Sequence, residues 1–275
     1  MNYRHAFHAG NFADLVKHAA LLEVLAGLTA GGGPLTVIDT HAGRGLYDLS
    51  GEEARKSGEA EAGISRLMAV EDAPAVFAPL VRAVSMLNGG GAVGRYPGSP
   101  WLIAGALRSG DSYLACELRP DEHAALARTL KGRPGARTLN ADGYEAAVRE
   151  CPASGRVLAL IDPPFERPDD YGRIVETLAR LRRRNPAVQA LVWLPIKDLE
   201  TLDSFLRDIE DEVPAPMLVA EARVRPLDDP MKMNGCALVM MGGPDLSSAF
   251  AAICGWVAHT LGAGGAARTY RLSPQ

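Results

Sequence analysis

The chain has 275 residues, of which 47% are hydrophobic and 23% charged, a size and composition that suit one large α/β domain and argue against disorder. No run of about 18 apolar residues is present, and the polar, histidine-containing N-terminus lacks the pattern of a signal peptide, so we expect a cytoplasmic protein outside the membrane. The formal net charge of −4 excludes a globally basic nucleic-acid binder, so any polyanion would need a local basic patch.

Short apolar runs alternate with amphipathic stretches along the chain. An amphipathic helix is predicted over 11–29, with Asn11 as its cap, and LTVID at 35–39 is typical of a buried parallel strand. Further strands are predicted at 112–118, 137–140, 157–162, 189–195, 217–224 and 236–242, and helices at 120–131, 143–150, 170–184, 198–211 and 247–261. This alternation predicts an α/β fold with a mostly parallel, seven-stranded sheet and helices on both faces.

One spacing is irregular. About 70 residues separate the first predicted strand from the second, far more than one crossover helix needs. Residues 48–98 are largely helical in pattern, for example over 59–70 and 73–88. We therefore predict a single domain over 1–275 that carries an inserted helical subdomain at 48–98.

The strongest chemical signal is Asp162-Pro163-Pro164-Phe165, directly after the apolar run VLALI. The exocyclic amine of adenine is a poor nucleophile because its lone pair is delocalised, and an Asp carboxylate with the next carbonyl could hold both N–H bonds. Consecutive prolines stiffen such a loop, and an aromatic ring could stack on an extruded base for about 1–3 kcal/mol. The same residues could form an ordinary turn with a core Phe, but their place after a buried strand favours amine methylation.

Three weaker signals follow other predicted strands. Gly43 and Gly45 would let the backbone approach a ligand closely after the first strand. Glu117 ends the second strand, where an acidic residue can accept both hydroxyls of a ribose. Asp142 and Gly143 follow the third strand, where an adenine amine could be bound, although Asp-Gly is also an ordinary turn. Together with the Asp-Pro-Pro-Phe motif, these signals mark four successive strand ends and predict an adenosyl-binding site.

Several alternatives are disfavoured by missing residues. No phosphate-binding G-x-x-x-x-G-K-[ST] loop is present, and the glycine loop lacks the third glycine of a dinucleotide-binding enzyme such as an NAD-dependent oxidoreductase. No cysteine pair completes a zinc site with the histidines, so we predict no metal, and we expect the cysteines to be buried free thiols. The histidines concerned are His5, His8, His18 and His41.

The chain resembles the RlmJ family, the bacterial 23S ribosomal RNA (adenine(2030)-N6)-methyltransferases. The most specific matches are YRHAFHAGNFADLVKH at 3–18, DTHAGRGLYDL at 39–49, RYPGSP at 95–100, CEL around Glu117, ADGY at 141–144 and DPPF at 162–165. The resemblance implies a Rossmann-like class I methyltransferase fold, S-adenosyl-L-methionine as cofactor, and N6-methylation of an adenine in 23S ribosomal RNA.

The resemblance also implies roles for single residues. The cofactor site would be lined by His18, His41, Ser99, Glu117, Asp142, Gly143 and Asp162, with Lys17 beside it. Asp162, with Pro163 and Phe165, would be catalytic, and Tyr3 would close over the reaction centre with the rest of the N-terminal segment. The family often has Tyr where this chain has Phe165, so the stacking face is kept but the phenol hydroxyl is lost.

The motif leaves open whether the target is RNA or DNA, because a DNA adenine methyltransferase would use the same chemistry. A non-catalytic RNA-binding protein is disfavoured by the intact Asp162 and Glu117. We expect a monomer that binds 23S ribosomal RNA through cations close to phosphates. The predicted contacts are Arg4, Arg44, Arg55, Lys56, Arg66 and Arg82.

Overall fold

The structure is a computed structural model that describes residues 8–51, 56–229 and 231–272. Four residues singled out above, Tyr3, Arg4, His5 and Arg55, lie outside this described part of the chain. The strands are β1 (Leu35–Asp39), β2 (Leu46–Asp48), β3 (Arg95–Pro97), β4 (Ser112–Cys116), β5 (Ala136–Leu139), β6 (Arg156–Ile161), β7 (Gln189–Ile196), β8 (Met217–Arg223), β9 (Gly235–Met241) and β10 (Ala266–Leu272).

Most helices begin close to where the sequence pattern places them, but the helix predicted from residue 73 begins at Ala78, and the helix at Ser99–Ala106 was not predicted. Asn11 caps the first helix by accepting a hydrogen bond from the backbone N–H of Asp14 (3.0 Å). The helices are α1 (Phe12–Ala30), α2 (Arg66–Ala69), α3 (Ala78–Leu87), α4 (Ser99–Ala106), α5 (Pro120–Thr129), α6 (Gly143–Glu150), α7 (Asp170–Arg184), α8 (Leu199–Glu212) and α9 (Ser247–Trp256). Single π-helical turns lie at Glu61–Ser65 and Val257–Leu261. None of the helices within the described ranges combines the length and the apolar character that a membrane span requires.

The main sheet has the strand order β10-β8-β9-β7-β6-β1-β4-β5. Strands β5, β4, β1, β6 and β7 run parallel in the 3-2-1-4-5 order of a Rossmann sheet, and β9, β8 and β10 add antiparallel pairings. The predicted Rossmann-like α/β class is confirmed, but the described sheet has eight strands rather than the predicted seven. The additional strand is β10, an edge strand of partly exposed residues whose sequence AARTYRL lacks a continuous apolar run.

Helices cover both faces of the sheet, as predicted. Helices α1, α4 and α9 contribute to the core on one face, and α6, α7 and α8 to the core on the other. Strand β9 is buried along its whole length. Because the central strands are covered on both sides, their sequences are continuous apolar runs, which is why the pattern predicted them well.

The stretch predicted as an insertion returns to the sheet through a small antiparallel ribbon. Strand β2 pairs with β3, with Tyr47 opposite Tyr96. Between them, α2, α3 and the π-helical turn at 61–65 bury apolar side chains against the same core as α1. The amide of Ile64 donates to the carbonyl of Gly10 (2.8 Å), and a Cβ on Gly63 would lie only 2.1 Å from that carbonyl oxygen. The stretch is therefore docked directly on the chain that leads into α1.

Candidate functional site

A cleft of about 980 Å³ opens where the parallel strands of the main sheet end. The residues that directly follow β1, β4, β5 and β6 contribute to its walls, as expected for an open α/β sheet. The structure brings together in this cleft all the residues that the resemblance implied for the cofactor site and the described part of the catalytic centre. They are His18, His41, Ser99, Glu117, Asp142, Gly143, Asp162, Pro163 and Phe165.

Asp162, the first residue after β6, forms a largely buried ion pair. Its Oδ2 accepts a hydrogen bond from Nζ of Lys17 at 2.6 Å, and the same Nζ lies 3.0 Å from Oδ1 of Asp14. Burial lowers the pKa of Lys17, but the charges of Asp14 and Asp162 outweigh burial, so that pKa is raised well above its usual value. Lys17 is therefore a fixed cation that holds one oxygen of the Asp162 carboxylate.

Phe165 adopts a backbone conformation that is unusual for a bulky residue. Its φ is +51°, and within the described ranges no other residue except glycine has a positive φ. The ring packs against Tyr171 and Trp193, with centroid distances of 4.9 and 5.9 Å. Such a conformation costs about 1–3 kcal/mol and persists where the surroundings enforce it, here two prolines and an aromatic cluster. The loop thus presents Asp162 and Phe165 in the same cleft from a stiff turn.

Asp39 is a buried carboxylate that the sequence reasoning did not identify; it does not line the cleft itself but binds Ser99, which does. It is the last residue of β1, and its Oδ2 accepts hydrogen bonds from Oγ of Ser99 (2.8 Å) and from the hydroxyl of Tyr113 (3.1 Å). Burial raises the pKa of Asp39 to about 7 in spite of these two donors. The sequence signal for Asp39 is its position, because it is the last residue of a buried strand and precedes the loop that carries Gly43 and Gly45.

Glu117 follows β4 and is held by backbone amides from two sides. Its Oε2 accepts from the N–H of Gly43 (3.0 Å), and its Oε1 accepts from the N–H of Arg119 (2.7 Å). Burial raises the pKa of Glu117, and the two backbone donors oppose this shift. A carboxylate can accept about four hydrogen bonds, so the fixed group keeps capacity for a pair of hydroxyls.

Asp142 caps α6 and is oriented by an arginine. Its Oδ1 accepts from the N–H of Tyr144 (3.0 Å), and its Oδ2 accepts from Nη2 of Arg173 (2.9 Å). Burial raises the pKa of Asp142, but Arg173 outweighs it, and the pKa is lowered overall. A Cβ on Gly143 would lie 1.7 Å from the carbonyl oxygen of Thr40, so only glycine lets the start of α6 pack on the end of β1.

The two described histidines that the resemblance placed in the cofactor site are engaged with hydroxyl groups. Nδ1 of His41 lies 2.7 Å from Oγ1 of Thr40, and Nδ1 of His18 lies 2.7 Å from the hydroxyl of Tyr96. Burial lowers the pKa of His41 to about 4, so the ring is neutral at pH 7. Among residues 8–51, 56–229 and 231–272, no group of His, Cys, Asp and Glu side chains is arranged to hold a metal ion.

The cations predicted to contact RNA are distributed differently from the cleft-lining residues. Arg44 donates from Nε and Nη2 to the two carboxylate oxygens of Glu122, at 2.9 and 2.6 Å. Lys56, Arg66 and Arg82 are exposed but do not line the cleft. The cations that do line it are Lys17, Arg119, Arg167, Arg173, Lys197, Arg225 and Lys232.

Comparisons with known proteins extend over nearly the whole chain. A family model described as RsmJ, ribosomal RNA large subunit methyltransferase D, RlmJ, matches residues 32–272. The chain is 32% identical over 245 residues to ribosomal RNA large subunit methyltransferase J of Escherichia coli (strain K12), covering 89% of this chain and 88% of that protein. The protein of the same name from Haemophilus influenzae is 32% identical over 246 residues, with coverage of 89% and 88%. A crystal structure of a protein from Legionella pneumophila str. Philadelphia 1 superposes with a TM-score of 0.87 at 27% identity, covering 98% of this chain and 99% of that one.

Proposed function

This chain belongs to the RlmJ family of ribosomal RNA large subunit methyltransferases, and we propose that it transfers a methyl group from S-adenosyl-L-methionine to the N6 amine of an adenine in 23S ribosomal RNA. By resemblance to the family, the target is adenine 2030, and the protein acts in the cytoplasm as a monomer without a metal. The observation that carries the proposal is the placement of Asp162, fixed by Lys17, in one cleft with Glu117 and Asp142.

The walls of the cleft near β1, β4 and β5 suit the proposed cofactor. Their carboxylates can accept hydrogen bonds from a ribose diol at Glu117 and from an adenine amine at Asp142. The Asp14–Lys17–Asp162 cluster sets two carboxylates against one ammonium on the cleft wall, which favours a ligand with a cationic sulfonium and an ammonium group. Bound there, S-adenosyl-L-methionine supplies the electrophilic methyl group.

The residues of the chain then act on the amine. Lys17 holds Oδ2 of Asp162, which leaves Oδ1 to accept one N–H bond of the adenine amine, and the carbonyl of Pro163 accepts the other. The lone pair is thereby drawn out of conjugation with the ring, and the Phe165 ring supports the extruded base by stacking. As the new N–C bond forms and the S–C bond breaks, the amine becomes cationic, and its surplus proton passes to Asp162 or to water. Most of the rate gain comes from positioning and from exclusion of water.

Tyr3 completes the proposed catalytic set, although it lies outside the described residues. We propose that it closes over the reaction centre together with the residues that precede His8. The described chain from His8 to Asn11 leads directly into the wall of the cleft, which supports this placement.

The test is methyl transfer with matched nucleic acids. The purified protein is incubated with isotope-labelled S-adenosyl-L-methionine and either a 23S ribosomal RNA transcript or a DNA duplex of the same sequence, and the nucleosides are analysed by mass spectrometry. We expect N6-methyladenine in the RNA alone. Methylation of the DNA alone would identify a DNA adenine methyltransferase instead, and transfer to neither would overturn the proposed function.

A further inference from the structure

The cleft continues past Asp162 and Phe165 into a second part, which we call the β7–β10 lobe. Its walls come from β7 and from the segments after β8, before β9 and before β10. The lining residues are Trp193, Pro195, Lys197, Val224, Arg225, Lys232, Met233, Leu261 and Ala263. None of these residues belongs to the set implied for cofactor binding, so the lobe is available to another ligand.

Three exposed cations converge at the rim of this lobe. Lys197 follows β7, Arg225 lies two residues after β8, and Lys232 lies three residues before β9. The ends of these strands are neighbours because Gly235 pairs with Ile196 on one side and with Arg223 on the other. The sheet register therefore brings residues from three separate stretches of chain to one edge.

The loop that carries Lys232 is fixed to the end of β7. Nδ2 of Asn234, a buried residue, donates to the carbonyls of Lys197 and Asp229, both at 2.8 Å. The acidic neighbours are largely engaged: Asp198 caps α8 through the N–H of Thr201 (2.7 Å), and Asp229 lies 3.0 Å from Nζ of Lys232. Asp228, next to Asp229 in the chain, is exposed.

Cations elsewhere on the cleft are bound to carboxylates. Arg173 donates to Asp142 at 2.9 Å, and Arg167 donates to Asp169 at 3.0 Å. In contrast, neither Lys197 nor Arg225 forms an ion pair with any residue that the structure describes. The two cleft-lining cations that form no ion pair with a described residue, Lys197 and Arg225, therefore both lie in the β7–β10 lobe, where Lys232 is paired with Asp229.

We propose that Lys197, Arg225 and Lys232 bind the RNA phosphates that flank the target adenosine, with Val224 and Met233 as an apolar wall beside the sugar and base. The inference rests on the proposed function. S-adenosyl-L-methionine carries no phosphate, and these three cations lie outside the set of residues implied for cofactor binding. A chain with a net charge of −4 needs such a local patch to hold a polyanion. The adenosine thereby enters beside Phe165 from the side opposite Glu117 and Asp142.

The test compares two variants that remove the same charge. The first variant is Lys197→Ala/Arg225→Ala/Lys232→Ala. The control is Arg128→Ala/Arg183→Ala/Arg207→Ala, three exposed arginines on helices away from the cleft. Binding of a 23S ribosomal RNA transcript is measured over a salt series, and calorimetry with S-adenosylhomocysteine shows whether each variant keeps its fold and cofactor site.

We expect the first variant to lose RNA affinity and its salt slope to fall by roughly 2, at about 0.7–0.9 for each phosphate contact, while S-adenosylhomocysteine binding is unchanged. The control should keep the wild-type slope. A first variant that matches the control would overturn the inference, as would a slope change found only in Lys56→Ala/Arg66→Ala/Arg82→Ala. Methyl transfer by the wild type is measured on the same transcript: its absence would remove the proposed function, whereas intact transfer with an unchanged slope rejects this inference alone.

Discussion

The two parts of the cleft differ in how their polar groups are held. In the part formed by β5, β4, β1 and β6, each carboxylate already has fixed partners, such as the backbone amides at Glu117 and the guanidinium at Asp142. In the β7–β10 lobe, the cations are exposed and stand on loops. The first part is preorganised for a small ligand of fixed shape, and the second can adapt to a flexible polyanion.

This difference follows from the strand directions. Parallel strands all end at the same edge of the sheet. The sequence alone therefore predicts that the residues directly after these strands lie close together. In the antiparallel part, a cation before β9 lies at the same edge as a cation after β7. This closeness can be predicted only when the register of the strand pairing is known. Variants that act on one part alone should therefore separate cofactor binding from RNA binding. Asp162 lies where the two parts of the cleft meet, so its variants should affect methyl transfer.

The largest effect is expected at this boundary. Asp162→Ala removes the proposed acceptor of the target amine, so methyl transfer should fall at least about a hundredfold, while S-adenosylhomocysteine binding changes little. Asp162→Asn should retain more activity because its amide oxygen still accepts one hydrogen bond. Single-turnover transfer to the 23S transcript measures both. Near-normal turnover by the Ala variant would contradict the role of Asp162.

Glu117 tests the preorganised part alone. With the proposed role, Glu117→Ala removes two charge-assisted hydrogen bonds to the ribose, each worth about 1.5–3 kcal/mol, so affinity for S-adenosylmethionine should fall by roughly a hundredfold or more. RNA affinity at saturating cofactor and its salt slope should stay as in the wild type. Calorimetry gives the first quantity and a binding series the second. An unchanged cofactor dissociation constant would reject the assignment.

The strand-end residues show how much the sequence could predict. The apolar runs placed β1, β6 and β7 to within one residue, and polar residues at strand ends identified Glu117, Asp142 and Asp162. Their signals were local, since each lies within three residues of the end of a strand, whereas His18, His41 and Ser99 were implied only by the family resemblance. The same reasoning failed for β10, because an edge strand with few large apolar residues has no continuous run.

Other features depend on contacts between distant segments, which no local pattern carries. Lys17 lies 145 positions before its partner Asp162, and Ser99 lies 60 positions after Asp39. The predicted RNA contact at Arg44 depended on its closeness to the glycine loop, but the fold also brings Glu122 there, which binds its guanidinium. The sequence thus predicted which residues surround the cleft better than it predicted which of them pair.

Asp39 gives a smaller effect that appears in the pH dependence of stability. The folded-state pKa of Asp39, about 7, lies above the ordinary value of 3.8. Its contribution to the free energy of unfolding is therefore present below about pH 4 and is lost as pH rises through 7. The Asp39→Asn variant cannot ionise at this position. Its free energy of unfolding relative to that of the wild type should therefore increase between pH 4 and 8, by about 1.4 kcal/mol for each unit by which the pKa is raised. Denaturant unfolding across this range measures the difference.

Asp111 supplies the opposite control. Arg108 lowers the pKa of Asp111 to about 2. Its contribution is therefore present above the ordinary carboxylate pKa and is lost as pH falls. Asp111→Asn should be less stable than the wild type by a constant amount between pH 5 and 8. A constant difference for Asp39→Asn as well would show that Asp39 does not titrate in this range.

The smallest effect is expected at the docking of the 48–98 stretch on the chain before α1, on the preorganised side of the cleft. Oε1 of Glu59 lies 2.9 Å from Nδ1 of His8, and its Oε2 accepts from Nδ2 of Asn11 at 2.9 Å. The hydrogen bond to Glu59 raises the pKa of His8, although burial opposes it. Burial raises the pKa of Glu59, but His8 and Asn11 outweigh burial and lower it overall.

The raised pKa of His8 and the lowered pKa of Glu59 together define one pH window for this contact. The contribution of His8 is fully present below its ordinary pKa of 6.5 and is lost as pH rises through the raised value, whereas that of Glu59 is lost as pH falls below 4.5. Because the two side chains are 39% and 36% exposed, solvent screening limits the effect to at most about 1 kcal/mol. Glu59→Gln should therefore unfold at a lower temperature than the wild type near pH 5.5, with a smaller difference at pH 9 that reflects only the neutral hydrogen bonds. A thermal shift equal at both pH values would show that the contact carries no ionic contribution.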